Sequence, residues 1–125
     1  MQVAALLRAL GVAATLLALV ACASTAQTGQ NSPTPVPVPS EATPVVDAAL
    51  TDAATHLSVG KDQLRVDQVE PRQWPDSSLG CPQPGQLYSQ IVTPGYLIII
   101  SSSSAGKQLE YHTDARSRVT LCHES

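Results

Sequence analysis

The sequence predicts an α+β fold, with one N-terminal helix packed on an antiparallel sheet of four or five strands. Three observations lead there. Apolar residues recur at spacings of three and four between positions 44 and 57, the period of a helix with one buried face. After that segment the chain reads as β, in short alternating runs separated by Pro, Gly and Ser. Three consecutive isoleucines, Ile98, Ile99 and Ile100, mark a strand buried on both faces.

The helix is expected from about Pro44 to Leu57. Thr43 supplies a side-chain cap and Pro44 the first helical position. Val46, Ala49, Leu50, Ala53 and Leu57 form the stripe, and the many alanines let the helix lie close to a sheet. Asp47 suits the positive end of the helix dipole, and Gly60 stops the run.

A first strand is expected over residues 64–70, where Leu64, Val66 and Val69 break alternation near Asp67 as a bulge would. Pro71 to Gly85 is turn-rich. Leu87 to Val92 is expected as a strand ended by a Thr93-Pro94-Gly95 turn. Tyr96 to Ser101 is the clearest strand, followed by a loop over Ser102 to Gly106. Gln108 to Thr113 alternates Leu109, Tyr111 and Thr113 with polar residues. After an Asp114-Ala115-Arg116 turn, Arg118 to Cys122 alternates again.

The leader determines where this domain is expected to work. Arg8 is the only charged side chain before Glu41, and Ala9 to Val20 is almost wholly Ala, Leu and Val. That matches the roughly 7–15 apolar residues of a signal peptide better than the roughly 20 of a membrane span. Leu19-Val20-Ala21-Cys22 closes the run and resembles the lipobox of bacterial lipoproteins. The resemblance implies removal of residues 1–21 and acylation of Cys22, giving a palmitate-type anchor and a domain outside the cytoplasm on a cell membrane or outer membrane. Each buried methylene of such a chain contributes about 0.8 kcal/mol, and two or more chains give durable attachment. An uncleaved anchor, or an ordinary signal peptide cut at Ala21 or Ala23, is the alternative.

With Cys22 acylated, as that resemblance implies, Cys81 and Cys122 remain. In an oxidising compartment two such thiols in a small domain most often form a disulfide. A staple is also what the thin composition calls for, since the chain has no Phe, one Trp and three Tyr.

Residues 22–43 are expected to be a disordered tether rich in Pro, Ser and Thr. Pro33, Pro35, Pro37 and Pro39 alternate strictly, which blocks helix and favours an extended spacer. Residues 44–125 form the small domain. The formal net charge is −3 and no basic stripe occurs, so electrostatic binding to nucleic acid is not expected.

The segment Trp74-Pro75-Asp76-Ser77-Ser78-Leu79-Gly80-Cys81-Pro82 contains the motif W-P-D-x-S-L-G-C-P. It is followed by Pro94-Gly95-Tyr96 and by Tyr111-His112-Thr113-Asp114. These three motifs in this order resemble an uncharacterised family of small bacterial extracytoplasmic domains. The resemblance covers about residues 44–122 and implies the domain limits and the Cys81–Cys122 pairing. It brings no reaction and no ligand.

The expected role is a non-enzymatic binding, accessory or inhibitory module of the cell envelope, whose partner is an envelope protein or a small ligand. Its candidate binding loop contains Trp74, Asp76, Ser77, Ser78, Leu79 and Gln83. Pro75, Pro82 and Pro84 stiffen that loop and Cys81 pins it, and a rigid loop loses little entropy on binding. Trp74 is expected mainly to anchor. The competing class is a small thiol or serine hydrolase using Cys81, or Ser77 or Ser78, with His112 and Asp114. A disulfide would occupy the thiol, and neither serine sits in a G-x-S-x-G elbow. His56, His112 and His123 lack diagnostic metal-ligand spacing, so no metal or other cofactor is expected.

Overall fold

A computed structural model describes residues 34–125. The leader, Cys22 and the first part of the tether lie outside them. Two 3₁₀ turns, one helix and four strands follow in order: Ser40–Ala42, α1 (Thr43–Leu57), Lys61–Gln63, β1 (Leu64–Trp74), β2 (Thr93–Ser102), β3 (Lys107–Asp114) and β4 (Val119–Glu124). The strands form one antiparallel meander in the order β1-β2-β3-β4, with α1 packed on one face. Among the described residues no helix is long and apolar enough to cross a membrane.

The core lies between helix and sheet. Val45, Val46, Ala49 and Ala53 of α1 meet Tyr96, Ile98 and Ile100 of β2 and Leu109 and Tyr111 of β3. Ile98, Ile100, Leu109 and Tyr111 are fully buried, each burial worth about 1.5–3 kcal/mol for an aliphatic or aromatic side chain. Val45 widens the helical stripe beyond the expected positions, while Leu50 and Leu57 flank it partly buried. The buried hydroxyl of Tyr111 donates to Asp52 Oδ2 at 2.7 Å, pinning α1 to the sheet. Burial and the neighbouring Asp52 carboxylate both push the Tyr111 phenol well above its ordinary range.

The helix starts differently from expectation. The 3₁₀ turn over Ser40–Ala42 runs directly into α1, so Ala42 occupies the cap position and Thr43 makes no capping bond. Ala42 is fully buried, and its N–H donates to Pro39 O at 2.9 Å. At the other end the stop is Ser58, with φ 55°, rather than Gly60. The Val59 and Ser58 N–H groups donate to Ala54 O and Thr55 O, a Schellman closure.

The β region corrects three expectations. β1 continues through Pro71 to Trp74, because an edge strand tolerates a proline that donates nothing to a ladder. Pro94 and Gly95 belong to β2, opposite Gln73 and Arg72, and form no turn. Residues 87–92 are not a strand; Leu87, Ile91 and Val92 face solvent and pair with no ladder. The bulge near Asp67 is present, between Val66 and Gln68. Burial alone would raise the Asp67 carboxyl, but hydrogen bonds from Ser101 and Arg65 hold it below its ordinary value.

Candidate functional site

A second, smaller buried cluster sits on the face of the sheet opposite α1. It begins with the end of β1, where Trp74 lies against the centre of β3. The indole stacks on the His112 ring, with centroids 4.3 Å apart and planes inclined by 19°. The Trp74 Nε1–H donates to Thr113 O at 2.9 Å. Trp74 and His112 are each less than a tenth exposed, and Leu79 is fully buried beside them.

The loop that follows β1 wraps over this stack through a tight turn. Cys81 N–H donates to Ser78 O at 3.1 Å, and the two central residues, Leu79 and Gly80, both have positive φ. Two successive positive φ values are the pattern of a type I′ turn. Glycine is needed at position 80, where a Cβ would meet the Trp74 ring at 3.2 Å. Leu79 is a bulky side chain held in a conformation such residues resist, with φ 58°. Its carbonyl consequently reaches His112 Nδ1 at 2.6 Å, accepting that ring's proton.

Cys81 is then bonded to Cys122 across the sheet, with Cα atoms 5.6 Å apart. A second bulge places Cys122 there. Leu121 pairs with Tyr111 and His123 with Glu110, leaving Cys122 as the extra residue. Cys81 Sγ lies 3.1 Å from His112 Nδ1, and His112 Nε2 lies 2.9 Å from Glu110 Oε1. Thus a sulfur, an imidazole and a carboxylate stand in line beneath the loop.

The candidate binding residues divide by exposure. Trp74, Ser78 and Leu79 point inward and build the cluster, while Gln83 is exposed and Asp76 and Ser77 are half-buried. Asp76 Oδ1 accepts from Ser78 N–H at 2.8 Å, and the Ser78 hydrogen bonds hold its carboxyl below the ordinary value. Ser77 Oγ accepts from Ser89 N–H at 2.9 Å, and Ser77 N–H donates to Ser89 O at 3.0 Å. Gln83 N–H donates to the Tyr88 hydroxyl at 2.9 Å. The loop from Pro75 to Val92 therefore has internal hydrogen bonds as well as the disulfide.

Asp114 is engaged elsewhere. Its Oδ1 accepts from the N–H groups of Arg116, Ser117 and Arg118 at 2.8, 2.8 and 3.0 Å, closing the β3–β4 turn. The carboxylate in line with His112 is Glu110 instead. Since β-strand side chains alternate faces, residues 110 and 112 share one, a signal present in the sequence. The three histidines do not converge: His56 Nε2 meets Glu124 Oε2 at 2.7 Å. Among the described residues, the close group of potential ligands is Cys81, His112 and Cys122.

Among the exposed residues of this loop are three large apolar side chains. Leu87 is 99 % exposed, Ile91 67 % and Val92 63 %. Ile91 and Val92 line an open groove of about 390 Å³ together with Pro94, Ala115 and Arg116. The expectation of a strand hid these residues as a site. A larger open groove, about 630 Å³, is lined by residues such as Asp62, Arg65, Ser102 and Lys107 and shares none with this surface.

The family model for DUF8738, a domain of unknown function, matches residues 46–122. The chain belongs to that family. Within the DUF8738 domain the match runs from Val46 in the core stripe to the cysteine that closes the bridge, so it takes in the whole cluster. No curated protein and no solved structure gave a significant match to the chain.

Proposed function

We propose that this protein is a lipid-anchored extracytoplasmic lipoprotein whose domain is a non-enzymatic recognition module of the cell envelope. The observation that carries the reading is the Pro75–Val92 loop. It is braced by Cys81–Cys122 and its own hydrogen bonds, yet presents Leu87, Ile91 and Val92 to solvent. Apolar side chains on a preorganised loop bind with little loss of conformational entropy. A rim of this kind suits an envelope protein better than a charged ligand, because only Arg116 adds charge to the positive side of the groove and Asp114 balances it. The lipobox at Cys22 and the proline-rich tether supply the anchoring and the reach.

A photoreactive residue at position 87 of the full chain, irradiated in intact cells, tests the recognition surface. One discrete adduct is expected from position 87 and none from the same probe at exposed Lys61. Indistinguishable adducts from both positions would exclude the loop as the binding surface. Anchoring is tested by labelled palmitate, whose incorporation should vanish in Cys22→Ala; persistent label would exclude that cysteine.

A second reading is a thiol hydrolase, favoured by Cys81 Sγ, His112 Nδ1 and Glu110 in line at 3.1 and 2.9 Å. It requires Cys81 free of its bridge. Thiol titration of the non-reduced domain without its leader separates the two: two free thiols support the hydrolase, none the braced module. The serine form has less support, since Ser77 Oγ is committed to Ser89 and Ser78 is buried.

A further inference from the structure

We infer that the reduced protein holds one thiophilic d¹⁰ cation, zinc or cuprous copper, between Cys81, Cys122 and His112. The potential ligand atoms of these three residues lie within 4.8 Å of one another. A tetrahedral zinc with bonds of about 2.0–2.3 Å sets its ligands roughly 3.3–3.8 Å apart. Cys81 Sγ and His112 Nδ1, at 3.1 Å, are already near that spacing. The two sulfurs need only separate, which side-chain rotation permits when the Cα atoms are 5.6 Å apart.

A second observation concerns the far side of the ring. Histidines that ligate a metal through one nitrogen almost always give the other N–H to a carboxylate or carbonyl, which fixes the tautomer. His112 has that arrangement, with Nε2 facing Glu110 Oε1 at 2.9 Å and Nδ1 facing the sulfurs. Trp74 stacked on the ring fixes its plane. Two thiolates and an imidazole are a soft donor set that favours zinc or cuprous copper over calcium or magnesium. In the oxidised protein Nδ1 carries its proton toward Leu79 O and the sulfurs share a bond, so the donors are withheld.

The chemistry balances with an external dithiol as reductant. The dithiol gives two electrons and two protons to the S–S bond, leaving two protein thiols and its own disulfide. Binding a divalent ion then releases both thiol protons and the Nδ1 proton, so that Nδ1 supplies its lone pair while the remaining ring proton stays on Nε2. The fourth position of the ion is left to water.

The test uses the full chain carrying Cys22→Ser, so that Cys81 and Cys122 are its only thiols. The protein is reduced with a phosphine, freed of reductant without oxygen, and titrated with cobalt(II) as a spectroscopic substitute for zinc. One equivalent should produce a thiolate-to-cobalt charge-transfer band with the intense visible bands of tetrahedral cobalt, and zinc or cuprous ion should displace it. Which of the two displaces it at the lower concentration identifies the preferred ion. The oxidised protein should give neither band. Glu110→Gln should weaken binding about 10–100-fold while keeping the bands. Zinc should also raise the melting temperature of the reduced protein, and His112→Ala should abolish that rise. Bands of equal affinity in His112→Ala, no thiolate band, or zinc binding without a rise in melting temperature would each overturn the site.

Discussion

The Trp74 and His112 rings lie face to face, 4.3 Å between centroids, and join the end of β1 to the middle of β3 across the sheet. The contact holds down a loop that makes no ladder, so its loss should be costly. Trp74→Ala should destabilise the domain by about 3–5 kcal/mol, the range for removing a large buried ring. Trp74→Phe keeps a stacking ring but leaves Thr113 O without its indole donor, and should cost about 1–2 kcal/mol. Urea unfolding followed by circular dichroism measures both. A cost below about 1 kcal/mol for the alanine variant would show that the stack is not the anchor of the loop.

Gly95 is the tightest point of the sheet. A Cβ there would fall on the backbone carbonyl of Thr113, the group that also accepts the Trp74 indole proton. Backbone cannot yield as a side-chain tip can. Gly95→Ala should therefore cost roughly 2–4 kcal/mol, more than an exposed glycine replacement, and should disturb the Trp74 environment. Gly106→Ala is the control, since open space surrounds that position and only its positive φ opposes the change. Equal losses in the two variants would show that crowding against Thr113 is not the cause.

The helix and the central strands were legible because their signals are periodic and local. Val46, Ala49 and Ala53 could face only one way, and Ile98 to Ile100 are buried enough to need a sheet around them. The misread stretch, residues 87–92, has the apolar composition of a strand but pairs with nothing, and pairing is a tertiary property. Pro94-Gly95 reads as a turn by composition, yet Gly95 is there to let β3 approach. Cys81 and Cys122 were legible as a pair. The placement of His112 against their sulfurs depends on the turn at Leu79 and the bulge at Cys122, neither of which has a sequence signature.

Ser58 closes α1 in a left-handed conformation, φ 55°, that glycine adopts without strain. Its N–H donates to Thr55 O, a bond that any residue at this position retains. Ser58→Gly should accordingly stabilise the domain by about 0.5–1 kcal/mol, seen as a higher urea midpoint at unchanged slope. A lower midpoint would mean that the serine side chain contributes more than its backbone strain removes.

Asp114 gives the domain an acid-sensitive turn. Burial alone would raise its carboxyl, but the N–H groups of Arg116, Ser117 and Arg118, with the Arg118 charge, outweigh it and hold it below the ordinary value of 3.8. The folded value is thus lower than the unfolded one. Its contribution is fully present above the unfolded value and is lost as pH falls through the folded one. Between about pH 5 and pH 2 the wild type should lose more stability than Asp114→Asn, which keeps the acceptor oxygen but not the charge. At neutral pH the variant should be less stable by about 1 kcal/mol. Parallel pH profiles for the two proteins would remove Asp114 from the acid response.

The Cys81–Cys122 bridge should stabilise the loop and the sheet unequally. It closes a separation of 41 residues, worth about 4 kcal/mol as an upper figure on the chain-entropy model. Cys122→Ser should lower the melting temperature of the non-reduced domain markedly, and adding reductant to the wild type should reproduce the loss. Hydrogen exchange adds what melting cannot. The Ser77 N–H bonded to Ser89 O and the Gln83 N–H bonded to the Tyr88 hydroxyl depend on the pinned loop, whereas the β2–β3 ladder around Ile98 and Tyr111 does not. On removal of the bridge, exchange at Ser77 and Gln83 should accelerate beyond what global destabilisation explains, because these amides open locally once the covalent brace is gone. If every amide instead accelerated in proportion to the global loss, the bridge would be a general staple, and the preorganised loop on which recognition depends would have to be held by its hydrogen bonds and the Trp74 stack alone.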